Sequence, residues 1–314
     1  MKERTGPAAD RATRRASAET VPLGTTVVIM NPIAGRGLVA RREREILGAL
    51  VEAGLEFTPV VTKAEGHATE LAREAVEQGA DTVVAVGGDG TVHEVARGMW
   101  DSEAVLGAIP MGSGNDFTGC RGIPEDLDGA IAALTSRNVY CTDVGFFNGR
   151  PFFNTIGLGF SAAVTAYSLR HTRLRGYVMY LVTVLESLYK YRSIPMVLTA
   201  PEYRYDDLVY LLTIGIGTRE GGGFTLLPDA EWDDGLFDCC LVHDIPVPTV
   251  LRLLPRATTG KHTHLHHVTM LRKPSLTVEG EEPILLHADG QITETGVTEI
   301  EFTCAPRALR FRAP

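Results

Sequence analysis

The chain has 314 residues, of which 44% are hydrophobic and 22% charged, with a formal net charge of −9. That length can bury a sizeable core and is enough for two domains. The acidic balance argues against a protein that coats nucleic acid, so no nucleic-acid partner is expected.

Residues 1–23 lack apolar periodicity and hold no continuous apolar run of secretory type, so a disordered tail is expected there. From Thr25 the chain alternates. "TTVVIM" reads as a short buried strand, and Val39, Ile46, Leu47, Leu50 and Val51 then take helical spacing. "LEFTPVV" is a second strand, and "HATELAREAVEQG" a helix closed by Gly79. "TVVAV" and "VLGAIP" are the third and fourth strands, each followed by a glycine-rich loop. Strands alternating with helices predict a three-layer α/β domain on a parallel sheet. After about Asp143 a helical stretch, roughly 160–191, interrupts β-type segments such as "PMVLTA", "LVYLLTIGIG", "LFDCCLV", "HLHHVTML" and "VTEIEFT". These predict a mostly antiparallel β-sandwich. The expected domains are 24–145, with 299–314 returning to it, and 146–298.

The five cysteines have no CxxC pair or framework spacing, which fits free thiols and a cytoplasmic setting. The longest apolar stretch, Gly176 to Tyr189, is too short to span a bilayer and contains Glu186. Arg170, Arg173, Arg175, Lys190 and Arg192 form one basic segment, and Arg252, Arg256, Lys261, Arg272 and Lys273 another. Each is either solvated surface or a contact to the anionic inner membrane face.

Three loops follow three strands of the first domain: "NPIAGRG" (31–37), "GGDGTVHE" (87–94) and "PMGSGND" (110–116). Glycine lets backbone N–H groups crowd round an anion, and a following helix adds partial positive charge. Three such loops on one sheet edge point to a nucleotide phosphate site. Asp89, flanked by glycines, suits Mg²⁺ on a triphosphate. Thr91-Val92-His93-Glu94 matches a capping box, so Glu94 either closes that helix end or touches nucleotide. No GxxxxGK[ST] is present, and no G-x-G-x-x-G occupies the first strand–helix turn, which disfavours P-loop NTPases and Rossmann dehydrogenases. "HTHLHH" would bring His262, His264 and His266 to one strand face, where they more often line a cleft than bind metal. "LLHADGQITE" (285–294) reads as a hairpin turning on Asp289-Gly290.

"NPIAGRG", "GGDGTVHEV" and "IPMGSGNDF" resemble the lipid kinase family of diacylglycerol, sphingosine and ceramide kinases. So do "FFNTIGLGFSAAV", "GGGFTLLPDAEWDDGLFD" and "HADGQ" in the second half. The resemblance covers the chain from about Thr25. It implies an ATP-dependent kinase acting on a lipid hydroxyl, diacylglycerol above all, in an apolar cleft between the domains. A peripheral membrane surface is the implied setting, and a homodimer is compatible with it. The implied ATP contacts are Asn31, Pro32, Gly35, Thr62, Gly88, Asp89, Gly90, Thr91, Glu94 and Ser113. A structural Mg²⁺ is implied at Glu231, Asp234 and Leu236, with Glu231 and Leu236 contributing backbone carbonyls.

The family's base candidate is the glutamate of Asp-Gly-Glu, and here Gln291 holds that position. A neutral amide orients a hydroxyl but accepts no proton. Three alternatives stay open. Asp289 serves as base, Asp89 does so, or transfer is slow or absent and the protein is a nucleotide- or lipid-binding regulator. NAD kinase is the less favoured enzyme, because the NPxxG and GSGND loops and the lack of an Asn-Glu pair after GGDGT count against it.

Overall fold

The computed structural model describes residues 18–168, 183, 186–294 and 296–314. Most of the expected tail, the arginines at 170, 173 and 175, and half of the 160–191 stretch therefore lie outside the described residues.

The first domain carries four parallel strands in the order β3-β2-β4-β5: β2 (Thr26–Met30), β3 (Phe57–Val61), β4 (Thr82–Gly87) and β5 (Val105–Pro110). Their side chains alternate between two cores. Ile29, Val83, Ala85 and Leu106 face α2 (His67–Glu77) and α3 (Asp89–Met99). Val28, Met30, Val84, Val86 and Ile109 face α1 (Ala34–Glu52) and α5 (Leu127–Thr135). A strand buried on both faces can dispense with polar alternation, which is why the run "VVAVG" after Thr82 is apolar.

The second domain is antiparallel. Its strands are β6 (Asn138–Phe147), β7 (Arg150–Phe152), β8 (Thr155–Gly159), β9 (Ile194–Ala200), β10 (Tyr203–Gly215), β11 (Phe237–His243), β12 (Val268–Lys273), β13 (Ser275–Gly280), β14 (Leu285–Ala288) and β15 (Gln291–Glu294). Phe152, Ile156, Leu212, Phe237, Leu241, Leu286 and Phe302 form its inner core. A second cluster, with Phe160 of α6 (Phe160–Ser168) and Val250 and Leu253 of α7 (Val247–Ala257), covers the outer face.

The long strand β16 (Glu299–Arg312) joins both halves. Its first part pairs with β13, and Arg310 and Phe311 pair parallel to Val105 and Leu106 of β5. The last part of the expected tail is ordered against this seam. β1 (Glu19–Thr20) pairs with β6, and buried Arg312 donates to the carbonyls of Val21 and Pro22 at 3.0 and 2.7 Å. The histidine run 262–267 lies in turns before β12, not on a strand face. Buried His262 contacts the Leu226 carbonyl at 3.1 Å through Nε2. Cys239 and Cys240 are both buried, one in each core, as their opposite directions on β11 require.

Candidate active site

Because β2, β4 and β5 run parallel in register, with Met30 beside Val86 and Gly87 beside Pro110, their carboxyl ends deliver the three glycine loops to one edge. The loops touch backbone to backbone. A Cβ on Gly35, whose φ is +57°, would lie 2.2 Å from the Met111 carbonyl oxygen. One on Gly112 would lie 2.6 Å from the Gly88 Cα. Neither contact admits a side chain.

The first two loops, the segment after β3 and Gln291 border a cavity of about 430 Å³ lined by Asn31, Pro32, Gly35, Thr62, Gly88, Gly90, Thr91 and Glu94, among others. Asn31 Nδ2 donates to Thr91 Oγ1 at 3.0 Å, fixing the first loop to the second. Thr62 is buried and its N–H donates to Met30 O at 2.9 Å. Glu94 does not close its own helix. α3 begins at Asp89 rather than Thr91, so Glu94 sits more than a turn inside. Its Oε2 instead accepts from Ala68 N at 3.1 Å in the first turn of α2. Ser113 is exposed and does not line this cavity.

Asp89 is likewise outside the lining. Its Oδ1 accepts from Phe117 N at 3.2 Å in the short helix α4 (Asp116–Cys120), so it is tucked under the third loop, and burial pushes its carboxyl above the usual range. Beside it, Asp116 accepts from Gly222 N through both oxygens at 3.1 and 3.0 Å, a clasp between the two domains. Burial, then the charge of Asp89, pushes Asp116 up to about 7. Sequence reasoning passed over Asp116. Its one signal was its place as the acidic end of the third glycine loop.

The second domain closes the site with the β14–β15 hairpin. Asp289 and Gly290 have φ of +48° and +80°, as a two-residue turn with both central residues left-handed requires. The Asp289 carboxylate is buried. Oδ1 accepts from Asn154 N at 2.9 Å and Thr155 N at 3.0 Å, and Oδ2 from Phe153 N at 2.8 Å and His93 Nδ1 at 2.7 Å. Burial alone would raise its pKa. The His93 bond and the backbone N–H groups outweigh that and hold it below the usual carboxylate range. Four accepted bonds occupy the four lone-pair directions, leaving no free direction for another proton.

Gln291 opens β15 and reaches over the second loop, close enough that a Cβ on Gly90 would meet its Nε2 at 2.8 Å. It also lines a second cavity of about 340 Å³ with His93, Arg97, Phe147, Arg150, Pro151 and Thr293. One amide thus separates the loop cavity from a neighbour that carries a histidine and two arginines. The sequence reading had not singled out His93. Beneath the hairpin, His287 Nε2 lies 3.0 Å from buried Glu220 and 2.6 Å from Ser161 Oγ, which props β14 from behind.

The expected metal ligands are arranged differently. Asp234 accepts from Leu236 N at 3.0 Å and pairs with Arg272, whose guanidinium also lies 3.6 Å from Glu231 and 3.7 Å from Asp238. Arg272 is thus the cation that the side chains of this acidic turn hold. Among the described residues no three His, Cys, Asp or Glu side chains are grouped to hold a metal. Among them, too, no helix is long and apolar enough to cross a membrane.

Each half of the chain matches a known family. Residues 25–147 match the diacylglycerol kinase catalytic domain, and residues 154–313 the YegS C-terminal NAD kinase beta sandwich-like domain. A "Probable lipid kinase YegS-like" of Pseudomonas aeruginosa is 33% identical over 277 residues, covering 86% of this chain and 89% of that one. A diacylglycerol kinase of Bacillus subtilis is 30% identical over 277 residues, covering 84% and 88%. The crystal structure of a diacylglycerol kinase from Bacillus anthracis superposes with a TM-score of 0.72 at 22% identity, covering 92% and 97%.

Proposed function

Since the chain belongs to the lipid kinase family built on the diacylglycerol kinase catalytic domain, we propose that it transfers the γ-phosphoryl group of ATP to a lipid hydroxyl, diacylglycerol being the acceptor class. The observation that carries this reading is the position of Gln291 between two cavities. ATP occupies the larger one, with its phosphates against the glycine loops and the N-terminus of α3, where backbone N–H groups face the anion. The acceptor headgroup enters the smaller one, so that its hydroxyl meets the γ-phosphate beside the Gln291 amide. Mg²⁺ arrives with ATP as substrate, and Asp89 and Asp116 are the nearby carboxylates that favour it.

Asp289 acts here as a positioning residue. Its saturated carboxylate sets the hairpin, and the hairpin sets Gln291. A membrane-facing surface is supported by α7, where exposed Val247 and Leu251 accompany Arg252 and Arg256.

The test is ATP turnover with short-chain diacylglycerol, sphingosine, ceramide and NAD, for wild type and Gln291→Glu. Turnover by wild type with diacylglycerol is expected. A silent wild type beside an active Gln291→Glu would instead make the natural protein a nucleotide- or lipid-binding regulator.

A further inference from the structure

The geometry points to His93 as the general base that takes the acceptor's proton, held in its working tautomer by Asp289; this rests on the lipid kinase reading above. The side chain that the family's motif would place as base is an amide here, and Asp289 has no free lone pair. Asp89 lies under the third loop and lines neither cavity. His93 remains. It sits one turn after Asp89 on α3, is buried with 7% exposure, and lines the smaller cavity beside Gln291.

Its protonation pattern follows from its partner. An ionised carboxylate only accepts hydrogen bonds, so the 2.7 Å contact between Asp289 Oδ2 and His93 Nδ1 requires a proton on Nδ1. In the neutral ring that leaves the lone pair on Nε2. Nε2 has no hydrogen-bond partner among the described residues and is not sealed from solvent, in contrast to the enclosed Nδ1 atoms of His262 and His287. An edge-on contact with Phe153, at 5.5 Å between centroids, holds the ring. The groups facing the imidazole are Asp289 from the hairpin, Arg97 from the next turn of α3 and Arg150 from β7. The two arginines lie in the same cavity and suit the charge of the incoming phosphoryl oxygens.

The step balances. The acceptor oxygen forms a bond to the γ-phosphorus as the bond from that phosphorus to the β–γ bridging oxygen breaks, and ADP leaves with that electron pair. The hydroxyl proton passes to His93 Nε2, and Asp289 stabilises the imidazolium that results. Gln291 stays neutral throughout and orients the hydroxyl.

Three variants test this against wild type: His93→Gln, Asp289→Asn, and the double variant His93→Gln with Gln291→Glu. Steady-state turnover from pH 5.5 to 9 is measured with short-chain diacylglycerol, together with ATP affinity by calorimetry and folding by circular dichroism. The expected loss in kcat for His93→Gln is about 10²–10⁴-fold, the usual contribution of a general base, with ATP affinity within threefold of wild type and the acidic limb of the pH–rate profile flattened. The double variant should regain at least tenfold, because a glutamate at 291 faces the same hydroxyl. Asp289→Asn should lower kcat by about 10²–10⁴-fold, because the amide favours the His93 tautomer that carries its proton on Nε2.

Full activity of a folded His93→Gln, with an unchanged pH profile, overturns the assignment while leaving the kinase reading intact. If His93→Gln does not fold, the decision falls to Asp289→Asn, and a kcat and acidic limb identical to wild type overturn the proposal. A wild type that turns over none of the acceptors overturns both readings.

Discussion

Asp289→Asn tests how far the hairpin depends on a saturated carboxylate. In the wild-type protein each carboxylate oxygen accepts two hydrogen bonds, from three backbone N–H groups and His93. An amide must put its NH₂ group in place of one oxygen. At Oδ1 it would confront the N–H groups of both Asn154 and Thr155. At Oδ2 it confronts only Phe153 N, provided His93 moves its proton to Nε2 and accepts. That less costly arrangement still strands one buried N–H, at about 1–3 kcal/mol, and weakens two charge-assisted bonds by about 1 kcal/mol each. The expected loss is therefore about 3–5 kcal/mol, or a fall in Tm of roughly 5–8 °C for a chain of this size.

Thermal unfolding followed by circular dichroism reads it directly. Asp289 has its pKa held below the ordinary value, so its contribution is present at neutral pH and is lost as pH falls through the folded pKa, below about 4. The gap between wild type and variant should accordingly close on acidification. A Tm within about 2 °C of wild type at pH 7 would refute the hydrogen-bond reasoning.

Arg272→Ala should lower Tm by several degrees by leaving Glu231, Asp234 and Asp238 facing one another, and millimolar Mg²⁺ or Ca²⁺ should restore it; a wild type that EDTA destabilises to the same extent would show that the arginine does not act as the cation of that turn. Asp116 has its pKa raised to about 7, so the folded protein holds a proton that the unfolded chain releases near pH 4. Its stabilising share is complete below that pH and gone above 7. Asp116→Asn should therefore gain stability on wild type between pH 5 and pH 8 without nucleotide, and parallel Tm profiles would contradict the shift.

The parts of the site that follow from local rules were legible in the sequence. Glycines between a buried strand and a helix can be recognised one loop at a time, and parallel strands bring such loops together. The Asp289-Gly290 turn was legible for the same reason, since both residues tolerate positive φ. What was not legible depends on partners distant in the chain. The capping-box pattern around Thr91 and Glu94 is sound local logic, yet α3 starts two residues earlier and Glu94 serves α2. Arg272 lies 38 residues from Asp234, and nothing in either neighbourhood announces their meeting. His93 and Asp289 are 196 residues apart, so the chemistry of each is set by a residue that no spacing rule connects to it.

The path of β16 bears on how this protein comes to be made. β5 finds its second neighbour at Arg310 and Phe311, roughly 200 positions further along the chain. Until that strand arrives, the nucleotide half presents an unpaired hydrophobic edge, a template for association with another chain. The segment 25–147 is thus a unit of sequence kinship but not of folding. A fragment cut at its end would lack the strand that seals its sheet, and should aggregate unless 299–312 is supplied. Anyone wishing to isolate the nucleotide half would do better to graft that strand onto it than to trim the boundary.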